Sequence, residues 1–376
     1  MGTNITFKRP DGKEAKGYLA NAARGNAPGV VVIQEWWGLS ENIKGLVDRF
    51  AVAGFDALAP DLYEGVVVPY HDADAAGKAP IVNPAKLAPA RSMEVCMQCH
   101  LETTSFPLPN SLPRFERGPF DYQPGQPLAN SWLFFDHAPG TGREDKFEIV
   151  NAVYRIRRSK CFLESQGKLE CTTCHDPHDI PRGQLAVKHY DAVCQKCHAE
   201  ALAKTVAAGQ HTRAADCAGC HMPKRRTEDV VHSLATDHLI QRRKPAGDLL
   251  ADRPERHEDG DRAYRGEVVL YYPADLPASP TRELYTALAQ VVDRSNLEKG
   301  TARLANAIQR FPFARAEFSY QLGEGLRNRG QSAGAVAAYR EALRRNPKMV
   351  AAWQGLGGEL RRAGRVDEAA ETLRSA

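Results

Sequence analysis

The sequence lacks a long hydrophobic segment. Its mean hydropathy is −0.46, and no uninterrupted apolar run approaches the ~20 residues that a membrane-spanning helix needs. It also lacks an excess of one charge, since 50 Lys and Arg stand against 46 Asp and Glu. The 43% hydrophobic and 26% charged residues are typical of a folded globular chain, which excludes a disordered or fibrous protein. We therefore expect a soluble protein with no membrane span.

The near-neutral charge does not by itself decide whether nucleic acid is a partner. Two short basic runs, at 224–226 and 242–244, lack the interleaved aromatic residues that a nucleic-acid groove needs. We interpret these runs as solvated faces and predict no nucleic-acid partner.

Cysteine is absent from most of the chain. All nine cysteines lie between Cys96 and Cys220, and eleven of the twelve histidines lie between Cys96 and His257. A length of 376 residues is also more than one typical domain. The uneven composition therefore predicts a multidomain protein, with regions at 1–78, 79–245, 246–280 and 281–376.

The first region, 1–78, is predicted to be α/β. Two short strands precede the β-branched run Gly29–Ile33, which is typical of a parallel strand buried on both faces. Ser40 can cap a helix with apolar residues at helical spacing, and Gly54 can end it. Residues 55–59 would form the next parallel strand, so that the pattern predicts a βαβ unit.

The last region, 281–376, contains an internal repeat. Leu322-Gly323, Ala335 and Tyr339 recur 34 residues later as Leu356-Gly357, Ala369 and Leu373. This period, with small residues at helix crossings, is typical of tetratricopeptide repeats, which are pairs of antiparallel helices. We predict an all-α solenoid that docks a partner protein. The preceding segment, 246–280, alternates charges and contains several prolines, which predicts an extended linker.

Eight of the nine cysteines belong to four copies of the motif C-x-x-C-H. The motif is typical of haem c attachment, because two thiols at this spacing can each form a thioether to a vinyl group while the adjacent imidazole binds the iron. We therefore predict four haem c groups. The attachment residues are Cys96, Cys99, Cys171, Cys174, Cys194, Cys197, Cys217 and Cys220, and the proximal ligands are His100, His175, His198 and His221.

Zinc is the alternative, since two C-x-x-C pairs can make one tetrahedral site. Zinc does not require a histidine directly after every second cysteine, and the uniform spacing also argues against a disulfide framework. Haem further accounts for the weak periodicity of 79–245, because large macrocycles supply apolar surface that the side chains lack. We predict that this region is mostly helical or irregular, builds no ordinary hydrophobic core and is largely unfolded without haem.

Each haem iron takes a sixth ligand or keeps an open position. The first candidate is His178, because the turn at Pro177 directs it away from the preceding haem and towards a neighbouring one. The other candidates are His211, His232, His238, His137 and His189. An ordinary surface histidine remains the alternative for each. The ninth cysteine, Cys161, is predicted to lie buried beside a haem.

The run from about Pro80 to Arg243 resembles multihaem c-type cytochromes of the cytochrome c-554 and pentahaem nitrite reductase kind, in a form fused to tetratricopeptide repeats. The resemblance is carried by residues 94–100, 157–161, 174–178 and 220–223. It implies electron transfer, or redox chemistry on a small nitrogen or sulfur species. Two features depart from the family. No C-x-x-C-Lys motif occurs, and a secretion signal and further upstream motifs are not seen.

Residues 1–78 are similar to the amino-terminal part of dienelactone hydrolases. The matching runs are 34–39, 59–63 and 69–71. In that family the glutamate that corresponds to Glu35 interacts with a cysteine nucleophile further along the chain. The resemblance ends near residue 78, before any nucleophile elbow, and His71 is the only histidine within it. We expect an inactive, truncated α/β fragment.

A G-x-S-x-G string occurs at 330–334, but it follows a helical pattern. A nucleophile elbow needs a strand-to-helix turn, so we interpret the string as a coincidence.

Three functions follow from these features. The first is a multihaem electron carrier whose repeats dock a redox partner, the second a multihaem reductase with one five-coordinate iron, and the third a hydrolase. Haem attachment predicts a periplasmic or extracellular protein, whereas the amino terminus shows no signal peptide and predicts a cytoplasmic one. A recombined reading frame and a natural fusion both remain open for the junction near residue 79.

Overall fold

The computed structural model describes residues 2–9, 12–34, 37–67, 82–103, 111–118, 121–176, 179–212, 216–254, 264, 266–292 and 294–375. The chain divides into two compact units, Met1–Lys86 and Leu87–Ala376. The predicted order of an α/β region, a cysteine-rich segment and a stack of helices is confirmed. No helix within these ranges is long and apolar enough to cross a membrane.

Among its described residues, the first unit has a mixed sheet and one α-helix, α1 (Glu41–Val52). The strands of the sheet are β1 (Thr3–Lys8), β2 (Glu14–Ala20), β3 (Gly29–Val31) and β4 (Asp56–Pro60). They lie in the order β1-β2-β4-β3. β1 and β4 are antiparallel to β2, while β3 and β4 are parallel. The predicted βαβ unit is therefore present.

The prediction that the Gly29–Ile33 strand is buried on both faces is wrong. Val31 is 61% exposed and Ile33 is 63% exposed. The reason is position, because β3 lies at the edge of the described sheet. The small core of this unit instead includes Ala57 and Ala59 of β4 and two residues of α1, Ile43 and Val47.

The second unit begins with helix α2 (Pro89–His100), which carries the first C-x-x-C-H motif. The later helices are α3 (Ala152–Ile156), α4 (Lys160–Glu164), α5 (Cys171–Cys174), α6 (Gly183–Ala207), α7 (Cys217–His221), α8 (Pro280–Val292), α9 (Leu297–Arg310), α10 (Ala316–Asn328), α11 (Ser332–Arg345), α12 (Val350–Arg362) and α13 (Val366–Arg374).

Two small sheets complete the second unit. Strands β5 (Ser111–Pro113), β6 (Trp132–His137) and β9 (Val268–Tyr272) form an antiparallel sheet with β6 in the centre. Strands β7 (Lys224–Arg226) and β8 (Leu234–Thr236) form an antiparallel pair.

The linker prediction for 246–280 is wrong over its last part, since β9 pairs with β6 and Pro280 begins helix α8. Val268–Tyr272 is a run of β-branched, aliphatic and aromatic residues, which strands favour. The charges and prolines around it hid this signal. Residues 87–376 accordingly form one compact unit, without a separation at 245 or 280.

The prediction that 79–245 builds no ordinary core is also wrong for its first half. Strand β6 is buried on both faces. Leu133 and Phe135 belong to a cluster with Leu288 of α8, whereas Phe134 belongs to a second cluster with Met97 of α2. The repeat helices therefore share a core with the first half of 79–245. A single strand gave too short a pattern to reveal this from the sequence.

The predicted helical repeats are confirmed as consecutive helix pairs from α8 to α13. Tyr339 is fully buried at the centre. A Cβ atom added at Gly323 or Gly355 would lie 2.6 or 2.7 Å from its ring, so these crossings require glycine. Trp353 is half-buried, and its Nε1 donates a hydrogen bond to the carbonyl of Pro347 at 2.8 Å.

Candidate haem-binding site

Helix α6, which carries the third motif, lacks a core of its own side chains. Its 25 residues include one buried residue, Asp191, and Leu185 is 69% exposed. The 13 residues of α8, by comparison, include eight buried ones. A helix with so little packing needs another surface against it. A large apolar macrocycle attached at Cys194 and Cys197 fits this requirement.

The first two motifs are neighbours in space. The thiols of Cys96 and Cys171 are close enough to interact, which lowers the pKa of Cys96 and raises the pKa of Cys171. Cys171 Sγ also lies 3.4 Å from Met93 Sδ on α2. The short helix α5 therefore lies against the helix of the first motif.

The second, third and fourth motifs are also neighbours in space, in the order in which they occur along the chain. Burial, with a smaller effect from the charge of Cys194, raises the pKa of Cys174 to about 11. Cys194 in turn lies close enough to Cys217 of the fourth motif for the two thiols to affect each other's pKa, although burial raises both more strongly. The backbone N–H of Cys217 donates to Asp191 Oδ1 at 2.6 Å, which ties α7 to α6. The odd cysteine, Cys161, lies beside this series, and burial raises its pKa.

The structure brings two pairs of histidine rings together. The ring centroids of His175 and His238 are 6.1 Å apart, and those of His211 and His221 are 6.2 Å apart. Burial lowers the pKa of His238, which favours the neutral imidazole that binds metals. His100 is close enough to lower the pKa of His175 and of His238 further.

The remaining histidines have other surroundings. His137 is buried in β6, with its ring centroid 4.2 Å from that of Tyr264. His198 lies on an exposed face of α6, and His232 is exposed between β7 and β8. His189 Nε2 lies 3.0 Å from the carbonyl oxygen of Cys174. His178 lies outside the described residues, so its ligand role stays a prediction, as do those of His137 and His232.

Sequence analysis missed a buried ion-pair cluster beside these histidines. Asp237 accepts hydrogen bonds from Arg155 Nε and Nη2, at 2.8 and 2.7 Å, and from Arg225 Nη1 at 3.0 Å. Burial alone raises the pKa of Asp237, but the hydrogen bond from Arg155 lowers it below its ordinary value. Arg225 was interpreted as part of a solvated face, yet it is buried. Its partners come from distant parts of the chain, which no local pattern reveals.

A cavity of about 550 Å³ adjoins the first motif helix. Met93, Glu94 and Met97 of α2 line it, together with Arg157 and Tyr272. The Glu94 side chain is buried and hydrogen-bonded to Arg91 and to the Tyr272 hydroxyl. The cavity therefore combines an apolar wall with one buried carboxylate.

Two further observations concern the alternative sites. In the described ranges, no group of three or more His, Cys, Asp or Glu side chains is arranged to hold a metal ion. Haem iron, in contrast, takes only one or two axial ligands from the protein. Of the hydrolase residues, Glu35 and His71 lie outside the described residues. Ser332 of the G-x-S-x-G string begins helix α11 and donates to Glu359 Oε2 at 2.6 Å.

Comparison with known families gives two matches. A model of the dienelactone hydrolase family matches residues 15–95, and a model of the doubled CXXCH motif matches residues 165–203. The first match extends beyond residue 78 into helix α2, so the predicted end of that resemblance is too early. The second match covers the motifs at 171–175 and 194–198, and this doubled motif indicates c-type haem binding.

Individual relatives match the amino-terminal region. The protein usf of Aquifex pyrophilus is 50% identical over 68 residues, which are 17% of this chain and 29% of that protein. A protein of Escherichia coli strain K12 named as a hydrolase fragment, YghX, is 45% identical over 60 residues, or 15% of this chain and 51% of that one. The chain thus spans only part of the curated relatives it matches. A solved structure of MamA (AMB-1) has 20% identity and a TM-score of 0.25, covering 27% of this chain and 55% of that one.

Proposed function

We propose that residues 87–376 act as a multihaem c-type cytochrome that carries electrons through four covalently attached haems. The observation that supports this most strongly is the spatial order of the motifs. The thiols of Cys96 and Cys171 are close enough to shift each other's pKa. Burial and the charge of Cys194 raise the pKa of Cys174, and Cys194 and Cys217 also affect each other's pKa. Haems held at these positions would form a continuous series, which electron transfer requires. The likeness to cytochromes c-554 and nitrite reductases supports the same function.

The side chains of the chain have distinct parts in this proposal. When bound, haem supplies an iron that alternates between ferric and ferrous states. The paired cysteines would hold each macrocycle through thioethers, and the four proximal histidines would orient it. Helices α2, α5, α6 and α7 present the motifs, and a macrocycle held at Cys194 and Cys197 would cover the exposed surface of α6 and exclude water from it.

The number of haems is the first point to test. The doubled-motif match supports attachment at the second and third motifs, and the same C-x-x-C-H spacing supports the first and fourth. The chain should be exported together with a haem-maturation system. The covalently bound haem should then be counted from the pyridine haemochrome spectrum. We expect four haems in the unmodified chain and three in Cys174→Ser. Cys161→Ser, the matched control, should keep four. Four covalent haems in Cys174→Ser would contradict the assignment.

The helical repeats are proposed to dock the redox partner. Stacked helix pairs of this kind commonly provide extended surfaces for protein interactions. Because β6 shares a core with α8, a partner bound on the repeats would be held at a fixed position relative to the haem region. Since haem c is attached outside the cytoplasm in bacteria, we propose a periplasmic or extracellular location for the loaded protein.

Electron paramagnetic resonance distinguishes the carrier from the reductase. Ferric haems with two histidine ligands are low-spin, whereas an open position for a small nitrogen or sulfur substrate gives a high-spin signal. We expect low-spin signals only. A high-spin ferric signal in the unmodified protein would favour the reductase.

We infer that the dienelactone hydrolase-like unit does not act as a hydrolase. Such catalysis needs a nucleophile and a base within hydrogen-bond reach. Ser332 lies at the start of a helix and donates a hydrogen bond to the Glu359 carboxylate. Eight of the nine cysteines are assigned to thioethers. The purified full chain should be assayed on an activated ester, where we expect no turnover. Turnover that disappears in Glu35→Ala would restore the hydrolase hypothesis.

A further inference from the structure

Two histidine pairs each combine a proximal histidine with a histidine from outside the motifs. His175 follows Cys174, and its partner His238 follows strand β8, with 41° between the ring planes. His221 follows Cys220, and its partner His211 follows helix α6, with 19° between the planes. The two pairs lie on different motifs but have almost the same ring separation.

This separation fits one iron between the two rings. An imidazole nitrogen lies about 2.0 Å from a metal that it binds, so two imidazoles on opposite sides of one metal place their ring centroids roughly 6 Å apart. The observed separations are 6.1 and 6.2 Å. The ring separation of each pair therefore matches the separation expected for the two axial ligands of one haem.

The hydrogen bonds of these rings leave the required nitrogen available. Nδ1 of His238 lies 3.0 Å from the Thr236 carbonyl, and Nδ1 of His221 lies 2.7 Å from the Gln241 carbonyl. Nδ1 of His211 lies 2.7 Å from its neighbouring carbonyl, that of Thr212. A carbonyl only accepts, so each Nδ1 carries the proton and each neutral ring has its lone pair on Nε2. Metal-binding histidines use this arrangement.

The backbone around His238 is held from two sides. Asp237 is fixed by Arg155 and Arg225, and all three side chains are buried. Ser159 Oγ accepts a hydrogen bond from the N–H of Ile240 at 2.8 Å and donates one to the carbonyl of His238 at 3.3 Å. His238 therefore occupies a fixed position although it lies outside regular secondary structure.

From this geometry, and resting on the proposed haem attachment, we propose two axial pairs. His238 is the second ligand of the haem at Cys171 and Cys174, and His211 is the second ligand of the haem at Cys217 and Cys220. Sequence analysis gave both as distal candidates without assigning them to a haem. The structure assigns them by distance. His178 lies outside the described residues and takes no part in this assignment.

The test uses the full haem-loaded chain and its ferric electron paramagnetic resonance spectrum. We expect His238→Ala and His211→Ala each to keep the haem number of the unmodified protein and to convert one haem from low-spin to high-spin. Added imidazole should restore the low-spin signal. Leu234→Ala removes an exposed side chain from strand β8 in the same segment and should leave the spectrum unchanged.

A second variant covers the case in which His238→Ala loses its haem. His238→Met retains an axial ligand, so that haem should stay low-spin with a raised midpoint potential, because methionine ligation raises haem potentials. Unchanged spectra and potentials in both His238 variants would overturn the pairing, as would the same high-spin signal in Leu234→Ala. Absence of covalent haem from the unmodified chain would instead overturn the proposed function.

Discussion

Helix α6 and helix α8 belong to the same compact unit, but they are stabilised differently. α8 buries eight residues against β6 and the neighbouring repeats, whereas α6 buries only Asp191. Both are regular helices, but the apolar residues of α8 are concentrated on one face, whereas those of α6 are spread around the helix. The repeats supply their own apolar surface, whereas under the proposed function haem would cover the exposed surface of α6. The unit would then be stabilised partly by side-chain packing and partly by covalently attached haem.

The largest expected effect separates these two regions directly. In the chain without haem, amides of 183–207 should exchange with deuterium almost as fast as in an unfolded peptide, because the helix has almost no buried contacts. Amides of 316–345 should remain protected. Haem attachment should protect the first segment by several orders of magnitude. Hydrogen exchange followed by mass spectrometry measures both segments at once, and equal protection of the two without haem would contradict the comparison.

A core substitution in the repeats should act on packing alone. Tyr339→Ala removes a fully buried aromatic ring that lies between Gly323 and Gly355. We expect a loss of about 3–5 kcal/mol in the free energy of unfolding, with an unchanged haem count. Phe313→Ala, at a side chain that is 69% exposed, is the control and should change stability by less than about 0.5 kcal/mol. Denaturant unfolding monitored by circular dichroism provides the measurement.

A substitution in the core shared by strand β6 and helix α8 should have an intermediate effect on stability. It should affect both the sheet and the repeats. Leu133 of β6 is fully buried in the cluster that contains Leu288 of α8. Leu133→Ala should cost about 3 kcal/mol and should lower the protection of α8 as well as of the sheet. If the protection of α8 were unchanged, the repeats would be a separate module, as the sequence suggested.

The smallest effect is expected at Trp353. It is half-buried at the edge of its cluster, so Trp353→Ala should cost only about 1–2 kcal/mol, less than deletion of a fully buried aromatic. Part of this loss is the hydrogen bond from Nε1 to Pro347. The Soret spectrum of the loaded protein should not change. Thermal melts of Trp353→Ala and Tyr339→Ala, measured under the same conditions, allow the two losses of stability to be compared directly.

Local patterns in the sequence predicted the helices and strands of this protein more successfully than they predicted which residues contact one another. The repeat helices followed from a 34-residue period, and the βαβ unit from β-branched runs and a cap residue. The strand Val268–Tyr272 was missed because proline and charge on both sides indicated a linker. Arg225 was misjudged because its partners, Asp145 and Asp237, approach it only in the folded chain. Pairings across such distances leave no periodic signal.

The sequence alone determined the chemistry of the motifs, because a thiol pair at fixed spacing followed by histidine is a local requirement for haem attachment. It likewise determined the helix pairs, whose period is local. Only the tertiary structure decided which histidines face one another and in what order the motifs meet. His175 and His238 lie far apart in the chain, and their separation of 6.1 Å depends on how α5, β8 and the buried Arg155–Asp237 pair are packed together. Such distances are set by the free energy of the whole core, which no short segment contains.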